Sequence, residues 1–179
     1  MKNALLIGGT GFLGSAIARR LVSADFRLTV PTRRRERTKH LTMLPTASVV
    51  EEDVHDEATL ARLMVGQDLV ISLVGILKGN FQRAHIDLPG KIARVAAQGG
   101  VPRLIHISAL AAASDAPSNY LRSKAAGEAA VKAAYPAATI FQPSVIFGRG
   151  DSFLTLFAGL LAIAPVVPLA CPTARFQPV

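Results

Sequence analysis

The chain has 179 residues, half of them hydrophobic, and a mean hydropathy of +0.36. These values exclude a disordered or low-complexity polymer and leave room for one domain with a sizeable core. Net charge is +8, and Cys171 is the single cysteine, so no internal disulfide forms, as in a reducing compartment.

Residues 2–7 read as a first strand, because an apolar run begins almost at once. No small-residue cleavage site follows an apolar core, so a secretory signal is not expected and a cytoplasmic location is. The run leads into Gly8-Gly9-Thr10-Gly11-Phe12-Leu13-Gly14. Residues 15–24 then read as a helix, with Ile17, Ala18, Leu21 and Val22 on one face. Strand, glycine turn and helix N-terminus form the pattern that seats a pyrophosphate. Gly8 permits the turn, Gly11 lets the backbone approach the phosphates, and Gly14 lets the helix pack on the sheet.

Residues 26–30 are the second strand, 48–54 the third, 57–65 a helix and 68–74 a continuous apolar fourth strand. Residues 84–98 form a long helix whose regular part starts near Pro89 and ends at Gly99-Gly100. Residues 103–108 are the fifth strand, 119–134 the next helix, and 138–147 hold the sixth strand and its exit. The alternation predicts an α/β fold: a Rossmann-type, doubly wound parallel sheet with helices on both faces. Its ligand belongs at the carboxyl ends of the strands. Residues 153–170 are almost wholly apolar but carry Pro165 and Pro168. They read as a buried or partner-facing helix with an irregular tail, not as a membrane span.

The end of the second strand bears on the choice of cofactor. An acidic residue there would bind the ribose hydroxyls of NAD, and the chain has Thr32, Arg33 and Arg34. A guanidinium pairs bidentately with a 2′-phosphate, so NADP(H) is expected over NAD(H), with Arg33 leading and Arg34 or Arg35 as substitutes. The plainer reading of this basic run, which continues to Arg37 and Lys39, is a solvated face or a weak attraction to anionic membrane. Nucleic acid is not expected, since no aromatics interleave the charge. Asp53 can accept from an adenine amino group while Val54 packs on the ring, or it is simply a capping or solvated carboxylate. Val74-Gly75 closes the fourth strand, where glycine lets backbone run beneath a cofactor.

Tyr120 and Lys124 stand four apart at the start of a helix and share a face. An ammonium beside a phenol favours phenolate, which would lower the tyrosine pKa toward acid–base use. The same ammonium can hydrogen-bond a nicotinamide ribose. His40, His55, His85 and His106 lack metal-ligand spacing, so no metal is expected, and His106 reads as a satisfied buried histidine.

With the glycine turn, Asp53-Val54, Tyr120 with Lys124, and Pro143-Ser144-Val145-Ile146-Phe147-Gly148, the chain resembles the short-chain dehydrogenase/reductase superfamily. Its G-x-x-G-x-x-G spacing resembles the extended and atypical, epimerase/dehydratase-like branches. Leu104-Ile105-His106-Ile107-Ser108, the run 120–128 and the run 147–154 are most similar to the NADPH-binding accessory subunit family of respiratory complex I and its bacterial relatives. The resemblance implies a tightly held NADP(H). It implies that Thr10, Phe12 and Leu13 contact phosphates, Lys124 holds the nicotinamide ribose and Pro143 packs near the nicotinamide. It further implies a ubiquinone-linked respiratory complex as partner and a peripheral place on the inner face of its membrane.

Two features depart from the active enzymes of that superfamily. A substrate-binding Ser or Thr is expected just past the fifth strand, and Ala109 stands there; Ser108 compensates if the register slips, with Ser114 and Ser118 as further hydroxyls. The loss of one such donor costs ~3 kcal/mol of transition-state stabilisation. The dinucleotide-binding domain is expected over 1–179, with 151–179 as the start of an incomplete, substrate-choosing C-terminal region. Two functions remain open: a protein holding NADP(H) in a structural or assembly role, or an active NADP-dependent reductase or sugar-nucleotide epimerase/dehydratase using Tyr120, Lys124 and Ser108.

Overall fold

The computed structural model describes residues 1–148, 150–151, 153–164 and 166. The chain divides into two compact units, Met1–Gln142 and Pro143–Val179.

The first unit holds a six-stranded sheet. Its strands are β1 (Lys2–Ile7), β2 (Phe26–Thr32), β3 (Ala47–Glu51), β4 (Leu69–Ser72), β5 (Leu104–Ile107) and β6 (Thr139–Phe141). Every neighbouring pair is parallel, in the order β3-β2-β1-β4-β5-β6. The helices of this unit are α1 (Phe12–Ser23), α2 (Lys39–Thr42), α3 (Glu57–Met64), α4 (Leu88–Gln98) and α5 (Asn119–Ala134). A π-helical turn, Gln82–Asp87, leads into α4.

Alternation along the strands divides the core between the two faces of the sheet. Leu5, Ile7, Val70 and Leu104 pack with Leu60 and Met64 of α3, Ile92 of α4 and Val131 of α5. Ala4, Leu6, Leu28, Val30 and Ile71 pack with Ala18 of α1 and Leu41 of α2. Ala4 to Ile7 are all fully buried, which is why that strand reads as an unbroken apolar run.

Several boundaries differ from the sequence reading, each for a local reason. α1 begins at Phe12, not residue 15, because Gly11 takes the N-cap position with extended backbone (φ −77°, ψ 178°). β6 ends at Phe141, and Pro143 has no N–H with which to extend a ladder. Ser118 is the N-cap of α5, its Oγ accepting from Leu121 N–H at 3.1 Å, so this hydroxyl is a structural cap.

In the second unit, α6 (Phe153–Ile163) starts beside Asp151, whose carboxylate accepts from the N–H groups of Leu154 and Gly148 at 2.6 and 3.2 Å. Leu154, Leu156, Leu160, Leu161 and Ile163 are exposed, so α6 is not the buried core helix that its composition suggests. Most of the expected irregular tail lies outside the described residues. No described helix is long and apolar enough to cross a membrane.

Candidate functional site

The strand order reverses between β1 and β4, and a crevice opens there at the carboxyl ends. It is a cavity of about 920 Å³. Its walls are the loops that leave four strands: Gly8, Thr10 and Gly11 after β1; Pro31 to Arg34 around the end of β2; Glu52, Val54 and His55 after β3; and Leu73 to Ile76 after β4.

The glycines have distinct jobs. Gly8 sits at φ +85°, and a Cβ on it would stand 3.1 Å from the backbone of Leu73 and Val74. A Cβ on Gly14 would stand 2.5 Å from the Cα of Gly9, so α1 meets the turn there backbone to backbone. Gly9 is itself packed tight, with Val30 and Leu6 2.8 and 2.9 Å from a would-be Cβ; the sequence reading had given it no role. Gly11 is different. The nearest atom to its would-be Cβ is Gly8 O at 3.6 Å, and it lines the cavity. There the missing side chain leaves room for a ligand.

The first helical bond of α1 runs from Ser15 N–H to Gly11 O at 2.9 Å. The N–H groups of Phe12, Leu13 and Gly14 precede it, have no acceptor within the helix and present its positive end. The first turn contains no acidic residue, which suits an anion. Ser15 Oγ also donates to Gly11 O at 2.8 Å and lies 2.8 Å from His40 Nε2, tying α2 to the turn.

At the end of β2, Thr32 Oγ1 accepts from Arg34 N–H at 3.2 Å and shapes the loop. Arg33 and Arg34 are exposed and line the cavity, and neither is in an ion pair among the described residues. Glu52 also lines it, but its carboxylate is paired with Arg62 at 3.0 Å. Burial lowers the pKa of His55, and the charges of Arg83, Lys91 and Arg33 lower it further against the opposing pull of Asp53. These groups give the cavity rim a cationic field. Asp53 is not among the lining residues; its Oδ1 accepts from His55 N–H at 3.0 Å, a local turn bond. Val54, Val74 and Gly75 do line it. Ile76 and His55 were missed by the sequence reading, although both lie just past strand ends, where the carboxyl-end rule points.

Tyr120, Lys124 and Ser108 do not line this cavity. Lys124 is almost fully buried and donates from Nζ to Ile107 O at 2.8 Å. Burial pulls its pKa down to about 8, partly offset by Glu128. The expectation for Tyr120 reverses: burial raises its pKa, and no ammonium effect counters it. The cause is the desolvation of the phenolate, with no contribution from the lysine four residues on. Ser108 Oγ is buried and has no hydrogen-bond partner among the described residues. His106 is not the satisfied histidine expected. Its Nδ1 lies 3.3 Å from Ser72 Oγ, but its buried Nε2 has no partner among the described residues. Burial, then the charges of Lys124 and His85, hold its pKa down to about 3. Pro143 opens the second unit. Among the described residues no group of three His, Cys, Asp or Glu is placed to hold a metal.

A family model described as NAD(P)H-binding matches residues 8–147, from the glycine turn to past β6. The chain belongs to this NAD(P)H-binding family. It is 34% identical to the mouse protein named NADH dehydrogenase [ubiquinone] 1 alpha subcomplex subunit 9, mitochondrial, over 98% of this chain and 49% of the relative. It is 36% identical to ceramide reductase of Caulobacter vibrioides, over 95% of this chain and 54% of the relative. The chain thus spans about half the length of the curated relatives it matches. Among solved structures it resembles Pen from Bacillus thuringiensis (TM-score 0.84, 18% identity, 99% of this chain and 62% of that one). It also resembles WbmH from Bordetella bronchiseptica, solved with NAD+ (TM-score 0.75, 19% identity, 90% and 63%). At these identities the structural likeness speaks to the Rossmann-type fold alone.

Proposed function

We propose that this NAD(P)H-binding protein takes NADP(H), and that it holds the nucleotide chiefly for a structural or assembly role beside a membrane-bound respiratory complex. One observation carries the choice of nucleotide: two unpaired guanidiniums, Arg33 and Arg34, line the cavity at the end of β2, where a carboxylate would select NAD. The free N–H groups of Phe12, Leu13 and Gly14, with Thr10 and Gly11, suit the pyrophosphate. Val54 suits the adenine. Val74 and Gly75 suit the floor beneath the ribose. Lys124 is assigned to the nicotinamide end.

The respiratory assignment draws on relatives named as complex I subunits. It fits a peripheral position on the inner face of the membrane. A second reading is favoured by a different observation. Tyr120 keeps its proton and Lys124 lies on the same helix face, and one relative is named a ceramide reductase. On that reading a bound NADPH supplies hydride, Tyr120 supplies the proton, and Lys124 and Ser108 position the reacting groups. An epimerase or dehydratase would use the same pair.

Denaturing the purified protein and identifying the released nucleotide tests both readings. NADP(H) is expected, with the ratio of NADP to NAD affinity falling at least tenfold in Arg33→Asp. Release of NAD, or an unchanged ratio, overturns the assignment of Arg33. NADPH that stays bound and never turns over on candidate carbonyl substrates supports the structural role. Turnover lost in Tyr120→Phe supports the enzyme.

A further inference from the structure

His85 has no part in the reading above, yet it is fully buried and both ring nitrogens are engaged. It is carried inward by the π-helical turn Gln82–Asp87. Such turns are rare and gather at functional sites. Gly127 of α5 makes the fit possible, since a Cβ there would stand 1.9 Å from the His85 carbonyl oxygen.

The hydrogen bonds set the tautomer. Ile76 N–H points to His85 Nε2 at 3.0 Å, and an amide N–H can only donate. Nε2 is therefore the unprotonated nitrogen and Nδ1 carries the proton. Nδ1–H donates to Ser123 Oγ at 2.8 Å, and that hydroxyl donates to the Tyr120 carbonyl at 2.7 Å. The imidazole also meets the Tyr120 ring edge-on, with centroids 5.5 Å apart, and stacks on Phe81 at 5.1 Å. Burial, then the Lys124 charge, hold its pKa down to about 4, which keeps it in this neutral form at ordinary pH.

Ile76 lines the cavity, whereas Tyr120 does not. We infer that His85 is a positioning residue that ties the Ile76 wall of the nucleotide cavity to Tyr120, so that a nucleotide seated on that wall sets the position of the phenol. The inference rests on the reading that the cavity takes NADP(H). It adds that the two ends of the site are joined through one neutral imidazole. A residue that only fills space would stabilise the fold without passing a signal between them.

The chain suits a direct test, because it has two tyrosines, no tryptophan and four histidines. The whole chain is labelled with 3-fluorotyrosine and with nitrogen-15, and Tyr135→Phe assigns the two fluorine signals. The probe is 2′-phospho-ADP-ribose, which lacks the nicotinamide ring and so cannot touch the phenol through it. In the wild type both the Ile76 amide signal and the Tyr120 fluorine signal are expected to move on binding. In His85→Phe, which keeps a ring but no acceptor, the Tyr120 shift should fall below a third of its wild-type size, with affinity changed less than threefold. Ser123→Ala cuts the same path without removing the ring, and should act alike if His85→Phe folds poorly. The wild-type imidazole should show the Nδ1–H tautomer, and an Nε2–H ring in the wild type overturns the inference. An Ile76 signal that moves without Tyr120 also overturns it, as does an undiminished Tyr120 shift in the variants. Tight binding that moves neither signal shows instead that the nucleotide does not sit on this wall, and the proposed site falls first.

Discussion

Gly14→Ala sets two effects of opposite sign against each other. By helix propensity the change should help, since alanine is favoured over glycine inside a helix by about 1 kcal/mol. The geometry opposes it. The new Cβ would stand 2.5 Å from Gly9 Cα and 2.6 Å from Gly9 C and O. Ordinary contacts begin about 1 Å further out, near 3.5–4.0 Å. All three obstructing atoms are backbone, so no rotamer relieves the clash. Gly9 cannot retreat, because it is already pressed against Val30 and Leu6. Overpacking typically costs about 1–3 kcal/mol, and this case belongs at the upper end. The net expectation is a loss of about 2 kcal/mol, read as a lower urea midpoint with an unchanged slope. α1 must also shift away from the turn, so NADP affinity should fall with stability. Gly11→Ala is the matched control. Its Cβ meets nothing closer than 3.6 Å and enters the cavity, so stability should move by less than about 1 kcal/mol while affinity collapses. A Gly14→Ala protein as stable as the wild type, binding NADP equally well, would refute the packing role.

Acid should unfold the first unit early. His85 and His106 titrate at about 4 and about 3 when folded, against 6.5 when free. The unfolded chain therefore binds protons first, and their stabilisation, whole above pH 6.5, drains as pH falls toward 4 and then 3. For His85 this amounts to about 3 kcal/mol at most, so a urea midpoint that stays level from pH 7 to 4 contradicts the buried neutral rings. Lys124 acts in the alkaline range. Its folded pKa of about 8 lies below the free value of 10.5, so stability should climb between those limits. Lys124→Met should abolish that climb and weaken NADP binding about 10-fold or more, as for a lost charged hydrogen bond. A climb that persists in the variant assigns it to another group.

What the sequence disclosed, and what it hid, follows the range of the interactions. The turn from Gly8 to Gly14 was legible because its glycine spacing falls between an apolar strand and the start of a helix. The continuous run 69–74 was legible because a strand covered on both faces has no polar side. α5 runs over 119–134 as expected, although the residue that caps it, Ser118, had been counted among the candidate substrate hydroxyls. The π-helical turn left no periodic mark, since its cause is the distant pairing of His85 with Ile76 and Gly127. Gly9 looked idle because its neighbours, Val30 and Leu6, meet it only in the folded sheet. The orphaned Nε2 of His106 was hidden for the same reason: whether a strand histidine finds a partner depends on what the opposite helix supplies. The pKa of Tyr120 was misread because spacing reports which groups share a face and says nothing of how dry that face is.

That dryness bears on which reaction Tyr120 can serve. Hydride delivery to a carbonyl carbon leaves its oxygen in need of a proton, and a neutral phenol is the form that gives one. The reverse reaction needs phenolate as the base. Burial raises the Tyr120 pKa from 10.0, and no neighbouring charge pulls it back. A phenol in this setting is therefore a proton donor across the physiological range. On the reductase reading this is the protonation state the step requires, and the phenol should leave no alkaline limb below pH 10. The limb expected instead is that of Lys124, near pH 8, where its ammonium discharges and, on the proposed assignment, would lose its bond to the ribose. NADPH oxidation with a ketone substrate, followed from pH 6 to 10, separates these groups. One fall in rate is expected near pH 8, carried by KM for NADPH, and it should be absent from Lys124→Arg. A fall carried by kcat that vanishes in Tyr120→Phe would show that phenolate chemistry operates here after all.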